Sequence, residues 1–243
     1  MKERKKGKVY LVGAGPGDPE LITVKGLKLL QQADAIVYDF LIDQRLLSFA
    51  RKDAELICAG KSSSHHSMKQ EEINRLLAEK AKEHPVVVRL KNGDPYVFGR
   101  GAEEAASLAE QNIPFEVVSG VSSAVAVPAS AGVPLTHRDY ASSVAIITGH
   151  RRDDEEVKIA DADTLVFLMP VANLQRIAER LLKDGRSPET PCALIERGTL
   201  PHQKVVQGNL ASIFKDSKAQ EIKAPAVFVV GEVVNLRKSL LPS

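Results

Sequence analysis

The chain has 243 residues, 44% of them hydrophobic and 26% charged, with 33 Lys and Arg against 31 Asp and Glu for a net charge of +2. That balance, with a pI of about 8.4, is too mild for a nucleic-acid-binding domain, where a pI above about 9 with clustered basic side chains is expected. No stretch reaches the roughly 18 apolar residues needed to cross a bilayer, and the basic opening MKERKKGK runs directly into a strand rather than a signal-peptide core, so a cytoplasmic protein is expected.

Against a usual domain size of about 150 residues, the length suggests two compact halves. In chain order, apolar runs bounded by Gly, Pro or Asp alternate with helical patterns, which is the signature of an α/β fold with a largely parallel sheet. Strands are predicted at 9–12, 35–38, 56–58, 86–90 and 115–118, with helices at 21–33, 69–83 and 102–111 between them and a small-residue helix at 122–131. The rhythm changes at LTHRDYAS, residues 135–142, which places the domain boundary there: a basic tail at 1–7, a first α/β domain at 8–138 and a second at 139–243. In the second domain the alternation continues through 144–148, 164–169, 171–183, 192–195, 203–207, 210–214 and 226–230, with paired strands expected around Pro201.

Cys58 and Cys192 are too few and too far apart for a disulfide framework or a Cys-based zinc site, and the six histidines never adopt an HExxH spacing, so no metal is expected. His65 and His66 read as a loop.

The segment VGAGPGDPE invites assignment as a dinucleotide fingerprint, because Gly13 and Gly15 follow a strand and Asp39 ends the next one. Asp18 stands at the third glycine position, however, and Pro16 and Pro19 bracket it, so no helix opens on a phosphate with free N–H groups. The loop reads instead as rigid, irregular and rich in backbone carbonyls. A second strand exit, RLKNGDPYVFGRG at 89–101, repeats its Gly-Asp-Pro core. Two such loops at the carboxyl ends of parallel strands would face one crevice, where open α/β sheets bind ligands.

The motifs VGAGPGDPELIT, ADAIVYD, QEEIN, RLKNGDPYVFGRG, SGVSSA, GVPLTHRDYASS and TGH, followed by TLVFLMP, ERGT and PAVFVVG, resemble the tetrapyrrole methylases in order and spacing over residues 8–237. The resemblance implies two α/β domains with the active site in the cleft between them, a homodimer, and S-adenosylmethionine as cofactor, leaving as S-adenosylhomocysteine. It also implies methylation of uroporphyrinogen III at ring carbons 2 and 7, giving precorrin-2 by way of precorrin-1 towards sirohaem or cobalamin. A stand-alone methylase is expected, without the dehydrogenase and chelatase module of bifunctional relatives. A later corrin methylase, a diphthine methylase, an rRNA methylase and a non-catalytic nucleotide-binding module are the competing readings, and none accounts for the whole motif set.

By the same resemblance Asp39 is the proton acceptor and Lys61 the proton donor. The cofactor is held by Pro16, Asn92, Gly93, Asp94, Val97, Ser122, Ser123, Met169, Gly198 and Ala226. The substrate's eight carboxylates call for cations, and the candidates are Arg138 first, then Arg100, Arg89 and Lys91, with Tyr96, His66 and His137 as hydrogen-bond partners. Met169 ends an apolar strand, where a core methionine is the default, but the resemblance places it against the adenine and raises the cofactor reading above that. Asn92 stands where the family commonly has glycine, and its tolerance of left-handed backbone is expected to preserve the turn. Ser62, Ser119 and Pro170 are further departures from the family pattern.

Overall fold

The computed structural model describes residues 7–60, 68–150 and 158–240. Lys61, Ser62, His65 and His66 lie outside them. The chain divides into two compact units, Met1–Ser122 and Ser123–Ser243.

The first unit is a five-stranded, all-parallel sheet of β1 (Lys8–Gly13), β2 (Ala35–Tyr38), β3 (Glu55–Cys58), β4 (Val86–Lys91) and β5 (Phe115–Val118), in the order β3-β2-β4-β1-β5. Parallel pairing requires crossovers, and these are α1 (Val24–Gln32), the short α2 (Gln44–Leu47), α3 (Gln70–Glu83) and α4 (Gly101–Glu110). Because side chains alternate across a strand, each face has its own core. Val9, Leu11, Val37 and Val87 pack with α3 and α4 on one face; Val12, Ile36, Val88 and Leu90 pack with α1 and α2 on the other. On β4 this alternation puts Arg89 and Lys91 on the same face as Val87, towards α3 and α4.

Helix α1 begins later than the apolar pattern from residue 21 predicts. Pro19–Leu21 forms a 3-10 turn whose first N–H groups are met by Asp18, and Thr23 then caps the true helix by accepting from the Gly26 N–H at 3.1 Å.

The second unit opens with α5 (Ser123–Ser130), followed by a mixed sheet of β6 (Val144–Thr148), β7 (Thr164–Leu168), β8 (Pro191–Glu196), β9 (Lys204–Asn209) and β10 (Ala226–Val230), in the order β6-β7-β10-β8-β9. Only β6 and β7 run parallel; the other pairs are antiparallel, and β8 and β9 form the hairpin around Pro201. The largely parallel sheet expected from the sequence is therefore a property of the first unit alone. Helices α6 (Leu174–Lys183) and α7 (Ile213–Ala219) cover a single core in which Phe167 and Phe228 have ring centroids 5.9 Å apart, and α8 (Arg237–Leu240) follows the last strand. Helix α5 packs on β7 and β10. By its contacts, residues 123–138, which the rhythm of the sequence assigns to the first domain, go with the second.

Candidate active site

In the first unit, the exits of β1, β4 and β5 are joined by glycines at contact distance. A Cβ on Gly13 would stand 2.5 Å from the Gly120 Cα and 2.6 Å from the Gly93 carbonyl oxygen; one on Gly120 would meet that same oxygen at 2.3 Å. No side chain fits there, so three backbones close on one another. Hydrogen bonds fix the arrangement. The Ala14 N–H donates to Lys91 O at 2.8 Å, and Gly15 and Gly93 exchange bonds of 3.3 and 2.8 Å. The two Gly-Asp-Pro exits are thus bound to each other.

Asp94 ties in the third strand exit. Its Oδ2 accepts from the Gly120 N–H at 3.1 Å and its Oδ1 from the Tyr96 N–H at 2.8 Å. The left-handed backbone of this turn sits at Gly93, with φ of 68°, and Asn92 needs no such tolerance; the expectation that Asn92 carries the strained position is corrected. Pro16, half-buried, follows Gly15 at φ of 81°, and the Val97 N–H closes the Asp94 turn at 3.3 Å. Beyond it, Tyr96 is exposed, and exposed Arg100, at the left-handed position before α4, forms a two-point pair with Glu103 at 2.9 and 2.7 Å.

Asp39, at the end of β2, is held at both oxygens. Arg89 donates from its terminal nitrogen to Oδ1 at 2.5 Å, and the Asn92 N–H donates to Oδ2 at 3.3 Å. Arg89, expected to face the substrate, is instead only 2% exposed, and its Nε donates to Glu104 at 3.0 Å. Lys91, also enclosed, donates to the same Glu104 oxygen at 2.9 Å, and Gln70 of α3 approaches it at 3.3 Å. Burial acts to lower the pKa of both cations. For Arg89 the carboxylates of Asp39 and Glu104 outweigh it and the pKa is raised; for Lys91 burial, reinforced by the Arg89 charge, wins over Glu104 and the pKa is lowered.

In the second unit, Leu168 pairs with Val227 and Glu196 with Ala226. This register brings Met169, Ala226 and the turn containing Gly198 to one end of the sheet. Met169 is 52% exposed at φ of 56°. Met169 is thus not a core methionine: the strand ends at Leu168, which is buried, and the residue after it turns out. Gly198 is seated on α5, where a Cβ would stand 2.3 Å from Val127 Cγ1, and α5 begins at Ser123. Arg138 is exposed on a tight turn in which His137 and Ala141 exchange backbone bonds of 3.1 and 2.9 Å.

Residues 8–213 match the family described as Tetrapyrrole (Corrin/Porphyrin) Methylases. The chain belongs to the tetrapyrrole methylases. It is 54% identical over 239 residues to a uroporphyrinogen-III C-methyltransferase of Methanocaldococcus jannaschii, covering 96% of this chain and 99% of the relative. A protein of the same name from Priestia megaterium is 49% identical, covering 94% of this chain and 99% of that one. Among solved structures, the uroporphyrin-III C-methyl transferase of Thermus thermophilus complexed with S-adenyl homocysteine matches with a TM-score of 0.83 at 42% identity, over 95% of this chain and all of that one.

For this tetrapyrrole methylase the sequence-predicted residues fall into three groups. Pro16, Asn92, Gly93, Asp94, Val97 and Asp39 come together on the locked strand exits of the first unit, with Ser122 shortly after Gly120. Ser123, Met169, Gly198 and Ala226 belong to the second unit. Lys61 and His66 fall outside the described residues. Two residues at the first group went unsingled in the sequence: Gly120, hidden within SGVSSA, and Glu104. Glu104 becomes legible once the sheet order is known. Two cations at alternate positions of a central strand, Arg89 and Lys91, need a buried counter-charge, and the first turn of the helix that follows supplies it.

Proposed function

We propose that the chain is an S-adenosylmethionine-dependent uroporphyrinogen-III C-methyltransferase, methylating ring carbons 2 and 7 to give precorrin-2 by way of precorrin-1. The observation that carries this reading is the end-to-end match to relatives of that name, 54% identical with 99% of the relative covered. No helix among the described residues is long and apolar enough to cross a membrane. The family resemblance is what supports a cytoplasmic homodimer.

The glycine-locked exits fit the cofactor as a rigid platform, because Gly13 and Gly120 pack backbone on backbone with each other and with Gly93, leave no room for a Cβ on either, and so fix the loops that carry Pro16, Asn92 and Val97. Pro16, Asn92, Gly93, Asp94, Val97 and Ser122 in the first unit, and Ser123, Met169, Gly198 and Ala226 in the second, would hold it. S-adenosylmethionine, when bound, supplies an electrophilic sulfonium methyl group. The residues around it act chiefly by orientation and exclusion of water, which can account for about 7–11 kcal/mol of a barrier. Methylation of a ring carbon leaves a cationic pyrrole that must lose a proton. Asp39, fixed at both oxygens, is the residue to accept it. Lys61 is the corresponding donor, and Arg138, Arg100, Tyr96 and His66 meet the substrate carboxylates. Arg89 is not among these, its guanidinium being committed to Asp39 and Glu104.

The test is incubation of the protein with S-adenosylmethionine and enzymatically made uroporphyrinogen III, followed by mass spectrometry of the oxidised product. Two added methyl groups are expected. An unmodified macrocycle in the presence of a cofactor that demonstrably binds would refute the reading.

A further inference from the structure

Glu104 is fully buried, and one of its oxygens, Oε1, takes donors from Arg89, Lys91 and Gln70, while its Oε2 has no hydrogen-bond partner among the described residues. Such a cluster is poor design for stability. Taking charges out of water is costly, and apolar side chains of similar volume commonly serve a core as well or better. Its geometry suggests another use. Arg89 spans two carboxylates, Glu104 on α4 and Asp39 at the end of β2, and contacts the Val37 and Leu90 carbonyl oxygens at 3.4 Å on the way. Of the five side chains Asp39, Arg89, Lys91, Gln70 and Glu104, Asp39 alone has substantial exposure, at 33%, and the buried cluster reaches it through Arg89.

We infer that Glu104 is a positioning residue for methyl transfer: acting through Arg89, it holds the Asp39 carboxylate in one orientation beside the locked loop, and Lys91 is the second cation that keeps Glu104 fixed. This rests on the reading of Asp39 as the proton acceptor. The loop is part of the same device, because the other Asp39 oxygen is held by the N–H of Asn92, the first residue after β4. The carboxylate is thereby registered against the turn proposed to hold the cofactor. Gln70, bonded at 2.9 Å to Asn74 on its own helix, carries the restraint to α3.

Two variants test the chain of contacts. Lys91→Met/Glu104→Leu removes one buried cation with one buried anion, so that charge stays balanced while Arg89 loses its anchor. Arg89→Lys keeps the cation but lacks the planar fork that reaches two carboxylates at once; it decides the matter if the double variant does not fold. At a temperature where circular dichroism shows the protein folded, each is expected to lose about 10²-fold in kcat, the size of effect a roughly 1 Å misplacement produces, with the KM for S-adenosylmethionine changed by less than about twofold. Wild-type kcat in either folded variant overturns the inference, as does a loss confined to KM. Asp39→Asn measured alongside separates the two readings. Full turnover there refutes Asp39 as proton acceptor, whereas an inactive Asp39→Asn beside a fully active Arg89→Lys refutes only the positioning role.

Discussion

Gly13 and Gly120 stand backbone to backbone, so close that a methyl group on Gly13 would lie 2.5 Å from both the Cα and the nitrogen of Gly120. Neither neighbour can retreat, since Gly93 closes the third side and Asp94 holds the Gly120 N–H. Gly120→Ala is therefore expected to destabilise the protein by about 1–3 kcal/mol, as overpacking of a rigid site does. Calorimetric binding of S-adenosylhomocysteine should weaken at the same time, because the strand exits must part to admit the methyl group. An unchanged melting temperature with unchanged binding would show that these exits are not the rigid platform described.

This contact also marks the limit of what the sequence conveys. The Gly-Asp-Pro repeat at the exits of β1 and β4 is visible in VGAGPGDPE and RLKNGDPYVFGRG, and so is the βα alternation that puts both strands in one parallel sheet. That the exits bond to each other, Gly15 to Gly93, follows from sheet order, with β1 beside β4 and β5, and no local pattern states that order. The pairing of Arg89 is hidden for a similar reason. A charged side chain on a strand reads as surface until the strand is known to be central, and only then does Glu104 become its necessary partner. For Met169 the apolar strand alone predicts burial, and only the family resemblance points the other way; the left-handed turn that exposes it is a property of the backbone.

Gly198 offers a test in the second unit. The three atoms nearest to a Cβ there belong to Val127: Cγ1 at 2.3 Å, with Cβ and Cγ2 at 2.8 Å. The turn is pinned to the same helix by the Thr199 N–H donating to Ser130 Oγ at 3.2 Å and by Gln203 Nε2 donating to Ser130 O at 3.2 Å. Gly198→Ala should cost about 1–3 kcal/mol. In a Val127→Ala background the added cost should shrink, giving a coupling of about 0.5–3 kcal/mol in a double-mutant cycle by urea denaturation. Simple additivity would contradict the contact.

Acid stability should depend on Asp163. Its Oδ2 accepts from the Ser142 N–H at 2.8 Å, the Ser142 hydroxyl at 2.9 Å, and the Ser143 N–H and hydroxyl at 3.0 Å, holding the carboxyl down to a pKa of about 2. An unfolded aspartate titrates near about 3.9. The folded pKa is the lower one, so the contribution is complete above the unfolded value and is lost as the pH falls from there towards 2. In Asp163→Asn this share of the acid dependence disappears, and the difference in stability from wild type should be largest near neutrality and fade below pH 4. A pH-independent difference by fluorescence-monitored denaturation would argue that the four bonds act without the charge.

Arg138 is the residue through which substrate recognition is most directly tested. It projects from a turn closed by backbone bonds between His137 and Ala141, with the Tyr140 N–H donating to His137 O at 3.1 Å and the His137 and Tyr140 rings tilted at 39° with centroids 4.9 Å apart. None of these supports involves the Arg138 side chain, so Arg138→Ala should leave the turn, and the melting temperature, unchanged. What it removes is an exposed cation for a polycarboxylate substrate. A hydrogen bond to a charged group contributes about 1.5–3 kcal/mol, which sets the expected rise in substrate KM at about tenfold or more, with the KM for S-adenosylmethionine little altered. The wild-type KM for the macrocycle should also rise with salt, since contacts between exposed charges are screened, and that salt dependence should be shallower in the variant. Equal effects on both KM values would mean that Arg138 serves the fold of the second unit and not the macrocycle's carboxylates.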